Sequence, residues 1–183
     1  MPEYHWVSDD IFTVTDFLTP AECAEYIALG EALGFTAAPI STFFGPAIHT
    51  ETRSNMRVML DDPERAAELW RRAAPFVPEE LAGRSAVGVN ERLRLYRYEV
   101  GQQFDWHRDG AFERPNGERS LLTFMVYLND DFTGGATAFA DRKIIPVRGM
   151  ALFFVHSLLH KGEPVMQGRK YVLRTDVLYA PRS

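Results

Sequence analysis

The chain has 183 residues, of which 46% are hydrophobic and 25% charged, and its net charge is −5. These values predict one globular domain with an ordinary core, and the acidic balance argues against broad nucleic-acid binding. No apolar run reaches membrane-spanning length, no signal peptide is visible, and the single cysteine excludes an intrachain disulfide. We therefore expect a cytoplasmic protein without a membrane partner.

The N-terminal part predicts a strand over residues 11–18 followed by a helix. Thr19-Pro20-Ala21-Glu22 has the pattern of a capping box with proline at the first helical position, and Gly34 can end the helix. The predicted buried stripe consists of Cys23, Ile27 and Leu33. Because Cys23 lies on this stripe, we interpret it as a small core residue rather than a nucleophile.

Residues 39–55 show no clear periodicity and include the pair Phe43-Phe44. This segment is either a surface loop or a lid over a substrate, and the sequence leaves both interpretations open. The pair could also form a dimer contact, so a monomer and a homodimer both stay open. His49, in the same segment, is expected to be a solvated loop histidine.

A second helix is predicted after a short strand over residues 56–60. Asp62-Pro63 begins this helix and Pro75 follows its end. Its apolar face contains Ala66, Leu69, Trp70 and Ala73. Both helices precede the strand-rich part, so we expect them to pack on the outside of a sheet.

From Arg92 the pattern changes to period two, which is typical of strands. Strands are predicted over residues 92–98, around His107, and over 121–128, 136–139, 143–147, 150–155 and 171–179. In the strand over residues 121–128, Thr123, Met125 and Tyr127 share one face and the apolar residues share the other. Two helices followed by about eight strands predict an α+β fold, mainly β, with an antiparallel sandwich or barrel.

His107-x-Asp109 is the first candidate metal-binding pattern. Side chains two residues apart on a strand project to the same side, so this histidine and carboxylate could meet one ion. His160 is the candidate third ligand. Two histidines and one carboxylate form the facial triad of non-haem Fe(II) sites.

The last strand carries Lys170 and, four residues on, Arg174 on the same face. A buried cation near a metal needs an anion, which a co-substrate carboxylate would supply. Tyr98 and Tyr127 could direct their hydroxyl groups into the same cavity. Gly134-Gly135 allows a tight turn or a close approach of the backbone.

Six motifs follow one another between residues 92 and 180. They are Tyr98-Glu-Val-Gly101, His107-x-Asp109, Tyr127-Leu-Asn129, Gly134-Gly135-x-Thr137-x-Phe139, Gly149 with Leu152-Phe153, and His160-x-x-x-Pro164 with Lys170-Tyr171. In this order they resemble the Fe(II)/2-oxoglutarate-dependent dioxygenases, and most closely the prolyl 4-hydroxylase-like group. The resemblance implies a double-stranded β-helix (jelly-roll, cupin-like) core with N-terminal supporting helices. It implies one domain over residues 1–183, with helical support over about 1–90 and the catalytic core over about 91–180.

The resemblance also implies the roles of particular residues. Fe(II) would be held by His107, Asp109 and His160, and the far carboxylate of 2-oxoglutarate by Lys170. Tyr127 and Tyr98 would contact this co-substrate. O2 would be the second co-substrate, and ascorbate is a candidate reductant.

Several assignments stay open at this stage. Arg174 could bind the substrate, bind 2-oxoglutarate or pair with Asp176, and Arg119 is a weaker candidate for a substrate contact. His156 competes with His160 as a metal ligand. Only His160 has the proline and the lysine at the spacing of the family motif, so we expect His156 to line the pocket or to be structural.

The resemblance implies a hydroxylase for a small molecule, an amino acid or a peptidyl substrate, for which a prolyl residue is one candidate. One alternative is a cupin-like module that binds a metal or ligand without turning over 2-oxoglutarate. A nucleic-acid demethylase of the same superfamily is the other, and the acidic charge argues against it.

Overall fold

The computed structural model describes residues 1–42, 45–47 and 52–182, with the backbone alone for 40–42 and 45–47. Its two helices are α1 (Pro20–Leu33) and α2 (Pro63–Ala73). Its strands, in chain order, are β1 (Glu3–Ser8), β2 (Ile11–Thr15), β3 (Thr36–Ala37), β4 (Ile40–Thr42), β5 (Gly45–Ala47), β6 (Met56–Asp61), β7 (Glu80–Leu81), β8 (Arg84–Val89), β9 (Arg92–Tyr98), β10 (Phe104–His107), β11 (Arg119–Tyr127), β12 (Thr133–Gly134), β13 (Thr137–Phe139), β14 (Lys143–Ile144), β15 (Ala151–Val155), β16 (His160–Gly162), β17 (Val165–Gln167) and β18 (Lys170–Pro181). This composition confirms the predicted α+β fold that is mainly β.

The strands form one large antiparallel sheet and one small one. The large sheet has the order β1-β2-β15-β11-β18-β9-β6-β3, and β8, which itself pairs with β7, joins it at β18. The small sheet has the order β10-β16-β13-β14, while β12 pairs with β17 and β4 with β5. A cavity lies between the two sheets, since its walls come from both of them.

Both faces of β11, a central strand of the large sheet, are largely buried, and this strand shows how the sequence divides them. Leu122 and Phe124 pack into the apolar core that also contains residues of both helices. Thr123 and Met125 point the other way and line the cavity between the sheets. The predicted faces of this strand are therefore confirmed, and period-two alternation is their cause.

Helix α1 begins with the predicted capping box. The Thr19 hydroxyl accepts a hydrogen bond from the Glu22 backbone at 3.3 Å, and the Glu22 carboxylate accepts one from the Thr19 backbone at 2.8 Å. These bonds satisfy amide groups that a helix start leaves without partners. Gly34 ends the helix as predicted.

The buried stripe of α1 differs from the predicted one. It consists of Cys23, Tyr26 and Gly30, whereas Leu33 is 51% exposed. A Cβ atom on Gly30 would lie 2.7 Å from the ring of Phe35 and 3.2 Å from Leu95 of β9, so the missing side chain makes room for both neighbours. Cys23 is fully buried, and burial raises the pKa of its thiol to about 11, which agrees with a core role.

Helix α2 begins at the predicted cap, where the Asp62 carboxylate accepts a hydrogen bond from the Arg65 backbone at 2.9 Å. Ala66, Leu69 and Ala73 are buried as predicted. Trp70 is partly buried against the same core. Neither described helix has the length and apolar character needed to cross a membrane.

Residues 1–90 provide more than helical support, because β1, β2, β3, β6, β7 and β8 all belong to the large sheet. The predicted first strand ends at Thr15 rather than at residue 18. The strands that were not predicted are β1, β3, β4, β5, β7, β8, β12, β16 and β17. Within the segment 39–55 the backbone forms β4 and β5, while Phe43, Phe44 and His49 lie outside the described residues.

Two leucine-to-alanine substitutions test this assignment of the core. Leu69→Ala removes a side chain that is 1% exposed, so we expect the free energy of unfolding to fall by about 2–5 kcal/mol. Leu33→Ala changes a side chain that is 51% exposed, so the change should stay within about 0.5 kcal/mol. Urea unfolding measures both. A fall in the free energy of unfolding that is as large for Leu33→Ala as for Leu69→Ala would contradict the exposed position of Leu33 on α1.

Candidate metal centre

Three potential metal ligands lie close together where β10 ends and β16 begins. His107 ends β10 and lies directly opposite His160 of the neighbouring strand β16. Nε2 of His107 is 3.7 Å from one oxygen of Asp109, and Nε2 of His160 is 3.6 Å from the other. The ligand atoms of the three residues all lie within 4.8 Å of one another. The structure thus brings together the three residues expected to bind a metal.

The reason predicted for the position of Asp109 is wrong. Strand β10 ends at His107, so Asp109 lies in the following loop and strand alternation does not orient it. Long-range contacts hold it instead. Its backbone N–H donates to the carbonyl of His156 at 3.1 Å. One carboxylate oxygen accepts a hydrogen bond from Thr123 at 2.5 Å, and the other is 3.1 Å from Arg174.

Backbone carbonyl groups fix the orientation of both histidine rings. Nδ1 of His107 is 2.7 Å from the carbonyl oxygen of Asp105, and Nδ1 of His160 is 3.0 Å from that of Leu158. A carbonyl oxygen only accepts, so Nδ1 must carry the proton in each ring. The lone pair of each Nε2 then faces the Asp109 carboxylate and is available to a metal ion.

The charges of these groups also suit a metal. Burial, reinforced by the neighbouring His160, lowers the pKa of His107 to about 4. Burial also lowers the pKa of His160. For Asp109 burial raises the pKa, but Arg174 and the Thr123 hydrogen bond outweigh burial and hold the pKa well below its usual range. Neutral imidazoles and an ionised carboxylate are the forms that coordinate a divalent ion, and this donor set fits Fe(II).

Lys170, which is 2% exposed, lines the cavity beside these ligands. Its ammonium group donates to the carbonyl of Gly135 at 2.5 Å and lies 5.1 and 5.4 Å from the ring centroids of Tyr98 and Tyr127. No carboxylate of the described residues pairs with it. Burial lowers its pKa to about 7. A buried cation of this kind is a receptor for an anion.

The two tyrosines predicted to contact the co-substrate differ in position. Tyr98 lines the cavity. Tyr127 is fully buried outside the cavity lining, and its hydroxyl is hydrogen-bonded to that of Thr137 at 2.6 Å. Gly134 has a φ of +76°, and a Cβ atom there would lie 2.5 Å from the carbonyl oxygen of Pro164. The glycine pair therefore permits the close backbone approach that was predicted, and this approach positions the carbonyl that binds Lys170.

Arg174 contacts two carboxylates. Its guanidinium is 3.2 Å from Asp176, which is the pairing considered above, and 3.1 Å from Asp109, which was not predicted. Arg174 also lines the metal cavity. Its contact with Asp109 stabilises the ionised form of this ligand carboxylate directly.

His156 does not join the three ligands but supports one of them. Its ring lies 2.9 Å from the hydroxyl of Thr123 and 2.9 Å from that of Ser120. The hydrogen bonds form one chain in which Ser120 donates to His156, His156 donates to Thr123, and Thr123 donates to Asp109. Arg119 lies outside the metal cavity and lines a neighbouring cavity that His156 also borders. Sequence reasoning assigned Thr123 to the cavity face of β11 but missed its role.

Substitution of Thr123 tests the contribution of this chain. Thr123→Val removes the hydroxyl that fixes Asp109 while keeping a similar volume, so metal affinity should fall by about 10–100-fold. Thr123→Ser keeps the hydroxyl and should stay close to wild type. Competition with a metal-sensitive dye, using Zn(II) or Fe(II) without oxygen, measures both. Equal affinity in the valine and serine variants would show that the hydroxyl does not support Asp109.

Comparison with known proteins gives a consistent result. Residues 93–175 match the family model of the 2OG-Fe(II) oxygenase superfamily. A probable prolyl 4-hydroxylase 8 from Arabidopsis thaliana is 26% identical over 87% of this chain and 65% of its own length. The human prolyl 4-hydroxylase subunit alpha-3 is 35% identical over 45% of this chain and 18% of its own. The chain thus spans less than two thirds of the length of these curated relatives.

Solved structures share the fold. The viral collagen prolyl hydroxylase of Paramecium bursaria Chlorella virus-1, in its 2OG complex, has a TM-score of 0.67 and 21% identity over 94% of this chain and 97% of its own. A prolyl hydroxylase from Trichoplax adhaerens, in complex with a peptide fragment of hypoxia inducible factor, has a TM-score of 0.69 and 16% identity over 93% of this chain and 84% of its own. The predicted jelly-roll core is confirmed by these likenesses.

Proposed function

We propose that this chain is a hydroxylase of the 2OG-Fe(II) oxygenase superfamily that uses Fe(II), 2-oxoglutarate and O2; the family match over residues 93–175 and the prolyl 4-hydroxylase relatives support the proposal. The observation that carries the proposal is the combination, in one cavity, of the ligands His107, Asp109 and His160 with the buried cation Lys170. A cupin-like module that only binds a metal would have no need for an unpaired buried ammonium group.

Fe(II), 2-oxoglutarate and O2 together supply an oxidation in which the co-substrate loses CO2 to become succinate and a C–H bond of the substrate becomes C–OH. The protein binds and orients the reactants. His107, Asp109 and His160 would hold the metal and leave its remaining positions open toward the cavity. Lys170 would hold the far carboxylate of 2-oxoglutarate, and Tyr98 would contact the same co-substrate.

Aromatic rings keep the metal ligands in place and limit the access of water. The ring of Phe104 stacks on His107 with 3.5 Å between centroids, and Phe154 contacts the ring of His160 edge-on at 4.5 Å. Rings held in this way cannot rotate freely, so their Nε2 atoms are oriented before the metal binds. Apolar walls also strengthen the electrostatic contacts inside the cavity.

The substrate we propose is a peptidyl or small-molecule compound with an accessible C–H bond, and a prolyl residue is the first candidate. The support comes from the relatives, several of which are named prolyl 4-hydroxylases, and from the Trichoplax adhaerens structure with its bound peptide. We place the activity in one domain over residues 1–183, with all three metal ligands and Lys170 in its second half. Ascorbate stays a candidate reductant.

An anaerobic titration tests the proposed function. Fe(II) followed by 2-oxoglutarate should produce the weak visible charge-transfer band of a metal-bound 2-oxo acid. His160→Ala should abolish the band, while Lys170→Ala should need at least about tenfold more 2-oxoglutarate because a charge-assisted bond is lost. If metal binds and no band appears, the assignment of the co-substrate is wrong and the cupin-like alternative becomes the better one.

The pKa of Lys170 leads to a second prediction. Burial lowers this pKa to about 7 in the free protein, and a bound carboxylate must raise it, so binding of 2-oxoglutarate takes up a proton. Affinity should therefore weaken as the pH rises from about 7 to 9, by up to about tenfold per unit. Lys170→Arg keeps its charge throughout this range and is the control.

Isothermal titration of the Zn(II)-loaded protein in two buffers of different ionisation enthalpy measures both affinity and proton uptake. Wild type should take up a proton at pH 8 and Lys170→Arg should not. Identical proton uptake in the two proteins would contradict the role of Lys170.

A further inference from the structure

Four arginine side chains surround Tyr96 at the edge of the metal cavity. We call them the arginine cluster: Arg53, Arg57, Arg94 and Arg174. Strand pairing explains their proximity, since Arg57 of β6 lies opposite Tyr96 of β9, and Arg94 of β9 lies opposite Arg174 of β18. Tyr96 and Arg174 line the cavity themselves.

The described carboxylates balance only part of this cluster. Asp176 pairs with Arg94 at 3.0 Å and with Arg174 at 3.2 Å, and Asp109 pairs with Arg174. Arg53 and Arg57 form no ion pair with any described residue. Two cations next to the cavity are therefore without a counter-charge in the part of the chain that the structure describes.

Arg53 is the more deeply buried of these two, with 6% exposure. Its Nε donates to the side chain of Asn55 at 2.8 Å, and one terminal nitrogen is 3.5 Å from the carbonyl of Pro39. The other terminal nitrogen has no hydrogen-bond partner among the described residues. The guanidinium carbon lies 5.0 Å from the ring centroid of Tyr96 and 4.2 Å from that of Phe104, and both rings line the metal cavity.

The protonation of nearby groups indicates the same excess of positive charge. Burial raises the pKa of Tyr96, yet Arg174, Arg53 and Arg94 outweigh burial and leave this pKa below its ordinary value. Burial lowers the pKa of the half-buried Arg57, and the neighbouring arginines lower it further. An excess of cations in a low-dielectric region attracts an anion strongly.

The metal and its co-substrate would not remove this excess. A divalent cation and the dianion 2-oxoglutarate cancel each other. Among the described residues, the five cations Lys170, Arg53, Arg57, Arg94 and Arg174 would then still face two carboxylates, those of Asp109 and Asp176. The positions also differ. Lys170 of β18 pairs with Tyr98, whereas Arg57 of β6 pairs with Tyr96 on the opposite side of β9. The backbones of the two residues are thus about 7 Å apart along the strands and about 10 Å apart across the sheet, which places the two cations at separate positions.

We propose that Arg53 and Arg57 bind a carboxylate of the primary substrate, so that the compound hydroxylated is an acid or a peptide with an acidic residue close to the reacting carbon. This inference rests on the proposed function and narrows its substrate class. Planar guanidinium groups suit a carboxylate because they can donate two parallel hydrogen bonds to it. Tyr96 and Phe104 supply the apolar faces on which the guanidinium of Arg53 rests.

Crystals of the protein loaded with Zn(II) and 2-oxoglutarate, soaked in sodium bromide, test for the anion site. Zn(II) does not change oxidation state, and bromide is identified by its anomalous scattering. We expect 2-oxoglutarate on Lys170 and bromide in contact with the guanidinium of Arg53 or Arg57. If 2-oxoglutarate is bound on Lys170 and no bromide lies beside Arg53 or Arg57, the inferred site for a substrate carboxylate is wrong, whereas the proposed function stands. If 2-oxoglutarate does not bind, the proposed function itself fails.

Matched variants connect the anion site to particular side chains. Arg57→Gln should remove the bromide, or lower its affinity by at least about tenfold, because a charged donor is lost. Arg71→Gln is the control, since Arg71 is a largely exposed residue of α2 whose ion pair is with Glu68 of the same helix. Bromide that persists in Arg57→Gln and in Arg53→Gln would overturn the assignment.

A turnover assay with Fe(II) distinguishes the two sources of the carboxylate. N-acetylated amino acids and blocked peptides are offered as pairs that differ only in a carboxylate or an amide, and consumption of 2-oxoglutarate is measured. Stimulation by free α-carboxylates points to a small acid, and stimulation by acidic side chains in blocked peptides points to a peptidyl substrate. In either case Arg57→Gln should reduce the stimulation at least about tenfold. Equal stimulation by the acid and amide members of a pair would overturn the inference.

Discussion

The ionised carboxylate of Asp109 is the group on which the metal centre depends. It lies in a loop, and its two oxygens are held by Thr123 of β11 and Arg174 of β18, while its backbone is tied to His156. These contacts join the loop after β10 to the large sheet. They therefore fix the distance between the two sheets at the point where both histidines present their Nε2 atoms.

Unbalanced positive charge is the second constraint on this cavity. Lys170 lines the cavity without a carboxylate partner among the described residues, and the arginine cluster lies beside Tyr96, which lines the same cavity. Buried cations cost free energy when they are unpaired. Two separate anions, a co-substrate carboxylate on Lys170 and a substrate carboxylate at Arg53 and Arg57, would remove this cost at two distinct positions. The same cations would then select both reactants by charge.

Much of the fold and of the site followed from local pattern. The helix caps at Thr19 and Asp62 and the two faces of β11 were predicted correctly, because caps and strand faces depend on residues close together in sequence. Leu33 was assigned wrongly to the core because helical periodicity does not reveal that Gly30, which has no side chain, packs against Phe35 and Leu95. Strands β16 and β17 were missed because three residues are too few for a period to be visible.

The sequence by itself determined the chemistry of the site: two histidines, a carboxylate and a lysine in the order of a known family, on a chain of alternating strands. Tertiary structure decided how these groups meet. His107 of β10 and His160 of β16 occupy opposite positions on paired strands, which brings them together. Contacts from β11, from β18 and from the turn after β15 position Asp109. The pairing of β6, β9 and β18 also brings Arg57, Arg94 and Arg174 of the arginine cluster together, while an isolated bridge pairs Arg53 with Phe104. Such contacts depend on strand register over long separations, which local periodicity does not encode.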